Sequence, residues 1–518
     1  MMMKKKLYTT FAAIHLGSEM ISMQITEYRH IDRYKVIERC NRRIRLGEAS
    51  FKNKVIPYTL VHEICEILSG FKLLMAEYGV EEYRMQATTA VREAINQVFL
   101  LDQIRSKTGL VVDVVDMPQE IYTKYVAIRN TLRSEKISSE REGMLMMDIS
   151  SGGLGITLVQ DEKICYQQNF HVGIIRIKEG FERNRRESMN FIRALTEYLS
   201  SIVGPVRQEL HQDRVRYLVL SGTETELLLK MLGFEDFKMV YRITAAKFHR
   251  FFAKLRQLNL PQIIKVFGLP ESAAELVLPT VILYEQLLDL IPAEEIIITS
   301  DRFIDGMQLL HIGRKTAPEL CKNWEAELVS LFHHIGRRYL YDKKHAQQVE
   351  RLSLHIFDKV AKDYGMGEQE RLLLRGAALL HDIGKYICMR SHSAYTYQLI
   401  MSTDILGFSD KERKIIALAS YYHANRLFDQ TDKKAPAVDK DSVAIVAKLA
   451  AIIRLADAMD RSYLQKIRAC SVSVKENSLL IQAASKTDLT LELWSFADKA
   501  AFFEEVYGLL PVLERVDE

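Results

Sequence analysis

The chain opens with strand, small-residue turn, strand, and further on it does so a second time. Residues 7–30 alternate apolar and polar side chains of β-forming types (Tyr8, Thr10, Ala12, Ile14, then Ile21, Met23, Ile25), interrupted by Leu16-Gly17-Ser18. That is the pattern of two half-buried strands joined by a tight turn. The apolar run Met144-Leu145-Met146-Met147-Asp148 then leads through Ser150-Ser151-Gly152-Gly153 into a returning strand, Gly155 to Gln160. The first opening is followed by helical spacing over 58–78 (Leu60, Ile64, Ile67, Phe71, Leu74) and by strands at 83–88 and 110–116. The second is followed by strands at 215–220 and 295–299. Two such passages predict a duplicated α/β unit of about 150 residues per copy, with the cleft between the copies as the ligand site.

After about residue 320 the strand signals cease. Residues 326–465 have helical period throughout, as in His345, Val349, Leu352 and Ile356, which predicts an all-α domain. The tail, 468–518, returns to strand alternation at Ser471 to Val474, Leu479 to Gln482 and Leu489 to Leu493, and closes on a helix over 496–509. The expected organisation is 1–135 and 136–312 for the α/β pair, 320–466 for the helical domain and 467–518 for a small α/β piece. A length of 518 residues agrees with three or four folding units at about 100–200 residues each.

Composition narrows the class. An apolar fraction of 48% and a charged fraction of 27% exclude a disordered or fibrous chain. With 71 basic and 67 acidic residues the net charge is +4, too small for a nucleic-acid coat, so a polyanion must bind in a local site. The six cysteines lie far apart with no C-x-x-C pair, which is neither a zinc knuckle nor a disulfide framework. No export signal and no run of about 18–20 apolar residues is present. The expectation is a cytoplasmic protein without a membrane or nucleic-acid partner.

Backbone N–H groups of tight turns bind phosphate where Gly, Ser and Thr allow close approach and add hydroxyl donors. Such turns occur at Gly17-Ser18, at Ser151-Gly152-Gly153, and at Gly222-Thr223 after the strand Val215 to Leu220. In these segments the chain resembles the exopolyphosphatase and guanosine pentaphosphate phosphohydrolase family. The family's D-L-G-S-N-S matches His15-Leu16-Gly17-Ser18-Glu19-Met20, and D-I-G-G-G-S matches Asp148-Ile149-Ser150-Ser151-Gly152-Gly153. A-T-x-A-x-R-x-A-x-N matches Ala87 to Asn96, with Arg92 at the arginine, and S-G-x-E-E-A is matched poorly by Asp116 to Ile121.

The resemblance implies duplicated actin- and acetate-kinase-like (ribonuclease H-like) domains and hydrolysis of a terminal phosphoanhydride in inorganic polyphosphate or guanosine penta/tetraphosphate. It implies Glu120 as the base, Asp148 as a metal or water partner, and a divalent metal, Mg²⁺ or Mn²⁺. Gly17, Ser18, Arg92, Ser151, Gly152, Gly153, Gly222 and Thr223 would line the phosphate channel, in a homodimer. The chain departs from the motifs at His15, Glu19, Ser150 and Ser151. A carboxylate at Glu19 repels phosphate oxygens by about 1–4 kcal/mol at 4 Å, depending on the local dielectric. Glu120 and Asp148 also have a plain structural reading, as a solvated helix-start carboxylate and a turn-former.

Leu379-Leu380-His381-Asp382-Ile383-Gly384-Lys385 places His381 and Asp382 at the end of an apolar helix that starts near Glu368, with His345 earlier and Asp457 later on other helices. This resembles the H…HD…D pattern of HD-type metal-dependent phosphohydrolases. It implies His345, His381, Asp382 and Asp457 as metal ligands, with His392 and His423 where a second ion would be bound. In a degenerate domain of this type Lys385, Arg454 and Arg461 would contact phosphate instead. Three functions follow: hydrolysis in the α/β cleft, hydrolysis in the helical domain, or non-catalytic binding of polyphosphate or an alarmone.

Overall fold

The computed structural model describes residues 8–140, 142–150, 152–171, 173, 191–210, 214–222, 225–236, 238–424 and 436–516. The chain divides into two compact units, Met1–Trp324 and Glu325–Glu518.

The first unit holds two sheets. One comprises β1 (Thr9–Leu16), β2 (Met20–His30), β3 (Arg33–Arg43), β4 (Glu82–Ala87) and β5 (Asp113–Val114) in the order β3-β2-β1-β4-β5. The other comprises β6 (Gly143–Ile149), β7 (Leu154–Gln160), β8 (Lys163–Phe170), β9 (Val215–Gly222), β10 (Val240–Thr244) and β11 (Glu295–Thr299) in the order β10-β11-β9-β6-β7-β8. Read from β3 and from β8, both run three antiparallel strands and then two parallel ones, β1 pairing antiparallel with β2 and parallel with β4 as β6 does with β7 and β9; the second sheet adds β10 at its far edge, antiparallel to β11. The repeated strand openings of the sequence thus fold into sheets whose first five strands share one topology. β6 is buried along its whole length, as a strand covered on both faces must be, and its continuous apolar run follows from that. At the opposite extreme β3 is largely exposed and carries Arg33, Lys35, Glu38, Arg39, Arg42 and Arg43. Those charges protect a sheet edge from pairing with other chains and also hide the strand from any search for alternation.

Two helices bind the sheets into one body. Met117–Ser134 follows the first sheet in sequence but packs on the second, where a Cβ on Gly155 would come within 2.8 Å of Ile121 and where Arg129, 1% exposed, reaches Glu162. Phe303–Thr316 follows the second sheet and packs on the first: the Thr26 hydroxyl donates to Gln308 at 2.9 Å and His311 stacks on Phe11 with ring centroids 3.7 Å apart. Where the helices cross, a Cβ at Gly306 would lie 1.9 Å from the Thr123 carbonyl oxygen, so no side chain fits.

In the second unit, the helices Lys343–Val360, Glu368–Leu380, His392–Met401, Asp410–Tyr422 and Val443–Ala458 precede a sheet of β12 (Ala469–Lys475), β13 (Ser478–Ala484) and β14 (Leu510–Val516). Helical period over 326–465 is met. The expected strand at 489–493 is corrected: Thr490–Tyr507 is one helix, and the third strand is β14, beyond it. Residues 489–493 alternate over too few positions to separate the two periods, and the crossover helix is what allows β14 to lie parallel to β13. Among the described residues no helix is long and apolar enough to cross a membrane.

Replacement Gly306→Ala is expected to lower stability by about 2–3 kcal/mol, because the helix crossing must open. Gly70→Ala, in the interior of the helix Tyr58–Glu77 with nothing within 4 Å of the added carbon, is expected to raise stability by about 0.5–1 kcal/mol. Urea unfolding of both variants checks the contrast.

Candidate functional site

Strand ends of both sheets meet at a cavity of about 210 Å³. Gly17, Ser18, Glu120, Ser150 and Gly222 line it together with His15, Glu19, Lys124 and Asp301. Gly222 sits at φ +150 with the Ile149 carbonyl oxygen 2.5 Å from where a Cβ would be, so only glycine allows the turn after β9. The Gly17 amide closes its own turn by donating to the Met20 carbonyl at 3.0 Å, and the Ser150 amide donates to Gly153 at 2.9 Å. Gly152 and Gly153 back onto Thr89 and Met117. Ser151 and Thr223 lie outside the described residues.

Glu120 stands in the first turn of Met117–Ser134, which Gln119 caps by accepting from the Asp116 amide at 3.2 Å. It is buried, not a solvated surface carboxylate. The Arg92 Nη1 lies 3.3 Å from its Oε2, and the Thr89 hydroxyl donates to the same oxygen at 3.2 Å. Burial pushes the Glu120 carboxyl above its ordinary range, opposed by the charges of Arg92 and Lys124. Arg92 is further spent on the Val115 carbonyl at 2.6 Å and the Thr89 hydroxyl at 2.9 Å.

Asp148, at the end of β6, is buried and forms an ion pair with Lys124, while Ser221 donates to the same Oδ1 at 2.7 Å. His15 is held neutral: burial, then the nearby Lys124 charge, pull its pKa down to about 3. Its Nε2 is 3.2 Å from the Thr88 hydroxyl. This arrangement leaves no place for a divalent cation at Asp148, because that carboxylate already faces an ammonium and the imidazole of His15 lies against a hydroxyl. Lys124 was not among the residues singled out from the sequence. The available signal was its position one helical turn beyond Glu120.

The second constellation lies in the helical unit, and helix ends build it. His345 is in the first turn of Lys343–Val360, its amide bonded at 3.0 Å by Asp342. His381 and Asp382 end Glu368–Leu380, His392 begins His392–Met401, His423 ends Asp410–Tyr422, and Asp457 is in the last turn of Val443–Ala458. Gly384 is what lets these ends approach: its Cβ would lie 2.0 Å from the His392 carbonyl oxygen. The Thr396 hydroxyl bridges there, accepting from the Gly384 amide at 2.9 Å and donating to the His381 carbonyl at 3.0 Å.

All four histidines use Nδ1 outward. The partners are Asp460 Oδ2 for His345 at 2.9 Å, the Ala378 carbonyl for His381 at 2.7 Å, the Met389 carbonyl for His392 at 3.2 Å and the Ser420 carbonyl for His423. That fixes the tautomer and turns each Nε2 toward the same place. His345 Nε2 is 3.3 Å from Asp457 Oδ1 and 3.7 Å from Asp382 Oδ2, and His381 Nε2 is 3.5 Å from Asp382 Oδ2. His392 Nε2 is 3.4 Å from Asp382 Oδ1 and 3.3 Å from His423 Nε2. The Nε2 atoms of His345 and His381 are buried without an aligned hydrogen bond. Such separations are what ligands bonded at about 2.0–2.2 Å to one ion have from each other.

Buried at their ordinary charge, Asp382 and Asp457 are held well below the usual carboxylate range, against the desolvation that would raise them, by the surrounding imidazoles and, for Asp382, by Lys385. Burial lowers His345, but Asp457 and Asp460 outweigh it and hold the ring at about 9. His423, without a bonded carboxylate, is pulled down to about 3 by burial. Tyr463 covers one side, its ring 3.7 Å from that of His345 and its hydroxyl donating to Asp382 Oδ2 at 2.7 Å. Lys385 contacts both Asp382 and Tyr463. Arg454 instead donates to the Tyr422 carbonyl at 3.2 Å and lies over Phe502. Asp460 and Tyr463 were missed in the sequence. Asp460 is three residues beyond Asp457, a spacing that the end of the helix turns toward His345.

Two sheets that share a core strand order and whose Gly/Ser turns open on one cavity define an actin-like fold. Residues 25–307 match the Ppx/GppA phosphatase family and residues 331–497 match Ppx/GppA phosphatase domain III; the chain belongs to that family. It is 22% identical over 410 residues to a guanosine-5'-triphosphate,3'-diphosphate pyrophosphatase of Aliivibrio fischeri, which is 78% of each chain. It is 21% identical over 477 residues to that of Photobacterium profundum, 91% of each. The Aquifex aeolicus Ppx/GppA family member superposes with a TM-score of 0.51 at 19% identity, over 60% of this chain and 99% of that one. An exopolyphosphatase from Cytophaga hutchinsonii gives 0.50 at 18%, over 59% and 98%. The helical segment therefore matches the family's own third domain, and its likeness to HD-type proteins is carried by the His and Asp pattern alone.

One further cavity residue titrates. Burial raises Asp301 to about 6, against a hydrogen bond of 2.7 Å from the Thr131 hydroxyl. A carboxyl raised on folding stabilises the protein least above its folded pKa, so this contribution is lost as pH climbs from about 4 to 6. Asp301→Asn is expected to gain stability over the wild type by about 1–3 kcal/mol more at pH 7.5 than at pH 4. Thermal melts at both pH values check it; a constant offset would contradict the burial account.

Proposed function

We propose that the chain is a metal-dependent phosphohydrolase of phosphoanhydride or phosphate-ester bonds whose working centre is the cluster of His345, His381, Asp382 and Asp457, with His392 and His423 extending it to a second ion. The observation that carries this reading is the convergence of imidazole Nε2 atoms, each oriented from behind, two of them buried beside the Asp382 and Asp457 carboxylates without an aligned hydrogen bond. Imidazole and carboxylate together suit Mn²⁺, Fe²⁺, Zn²⁺ or Mg²⁺. Such an ion, when bound, supplies a Lewis acid and a bound water acidic enough to attack phosphorus near neutral pH.

The chain's own side chains do the rest. Asp460 fixes the His345 tautomer. Lys385 and His392, with side chains 26% and 19% exposed, mark the open side of the cluster, and the ammonium of Lys385 there attracts phosphoryl oxygens. Tyr463 shields His345 and holds Asp382. The matched pyrophosphatases and exopolyphosphatase make guanosine penta/tetraphosphate and inorganic polyphosphate the substrates to try first.

A second reading keeps hydrolysis at the α/β cavity, with Glu120 as base, and is favoured by its burial at the cavity wall beside Arg92. Phosphate release from polyphosphate and from pppGpp, with Mg²⁺ and separately with Mn²⁺, separates the two. Expected is loss of at least a hundredfold in His381→Ala/Asp382→Ala and a change of less than about twofold in Glu120→Gln, the folds being verified by circular dichroism. The reverse pattern moves the chemistry to the cavity. Asp460→Asn, which removes a partner behind a ligand, is expected to weaken metal affinity by about 10–100-fold in equilibrium dialysis against Mn²⁺.

A further inference from the structure

The α/β cavity holds its own cation. Lys124 and Asp148 are both nine-tenths buried, and the ammonium faces the carboxylate directly. Ser221 gives Asp148 Oδ1 a further hydrogen bond at 2.7 Å, so that oxygen is fully supplied. Across the cavity His15 stands where the family motif has aspartate, and it is neutral and set against Thr88. Glu120 has its own cation in Arg92 at 3.3 Å. Asp148 and Glu120 thus each have one basic partner, and the position opposite Asp148 is taken by the nitrogen of a side chain anchored one turn from Glu120.

Exchange for a divalent ion is opposed by the burial of the pair. A displaced ammonium would remain in the same buried pocket without a counter-charge, which is the costly half of breaking a buried pair. Replacing aspartate by His15 removes a negative charge and Lys124 adds a positive one, both in the direction that makes a bound cation redundant.

We infer that Lys124 is the resident cation of this cavity, bound to Asp148 in place of a divalent metal, so that no metal ion binds at Asp148. The inference is independent of where turnover occurs, since it concerns only the difference in ion count at Asp148.

The test is the number of Mn²⁺ ions bound per full-length chain, read by electron paramagnetic resonance of free Mn²⁺. Asp148→Asn is expected to bind the same number as the wild type, whatever that number is. Lys124→Gln is expected to bind one more, and Lys124→Gln/Asp148→Asn to lose that extra ion. A wild-type count that falls by one in Asp148→Asn overturns the inference, as does a folded Lys124→Gln that gains none. If Lys124→Gln does not fold, the comparison of wild type with Asp148→Asn still decides. Loss of ions in His381→Ala/Asp382→Ala bears on the helical cluster and leaves this difference unaffected.

Discussion

A carboxylate taken out of water must be given a counter-charge, and both candidate sites are solutions to that requirement. In the α/β unit the chain supplies the charge itself: Lys124 to Asp148 and Arg92 to Glu120. In the helical unit Asp382 and Asp457 lie among four imidazoles whose Nε2 atoms point inward. Of the two aspartates, Lys385 contacts Asp382. The first arrangement is closed by covalently attached cations. The second presents imidazole Nε2 atoms and carboxylates to one small volume, and that contrast underlies the proposal of metal chemistry at one site and not at the other.

Both arrangements depend on backbone that approaches closely. Gly306 lets the two exchanged helices cross over the Thr123 carbonyl, and Met117–Ser134, held there, carries Glu120 and Lys124 one turn apart to the wall of the cavity. Gly384 lets the start of His392–Met401 sit on the turn that follows Asp382. The ligand set of the helical unit comes from helix ends, where side chains are free of the packed lateral surface and backbone carbonyls remain available to hold Nδ1. The Ala378 and Ser420 carbonyls serve in that way.

What was legible in the sequence follows the same logic. Strands of the sheet centres were readable because burial on both faces enforces continuous apolar runs, as in β6 and β11. β3 and β8 were not: β3 buries none of its residues and carries edge charges, and β8 buries four of its eight residues without strict alternation. His381 and Asp382 were legible because two chemically demanding residues adjoin a glycine that the turn needs. Asp460 was not: its role depends on the direction of the chain after Val443–Ala458 ends.

The sequence by itself determined the duplicated α/β pattern, the change to helices after residue 320 and the residue types available for metal and phosphate, because periodicity and side-chain chemistry are local properties. The tertiary structure decided which charges meet. Lys124 lies 24 positions from Asp148 in the chain and His345 115 from Asp460, and no local pattern encodes such pairings. They exist because the packing of helices on sheets and of helix ends on one another brings those atoms within reach, and burial then makes each pairing obligatory.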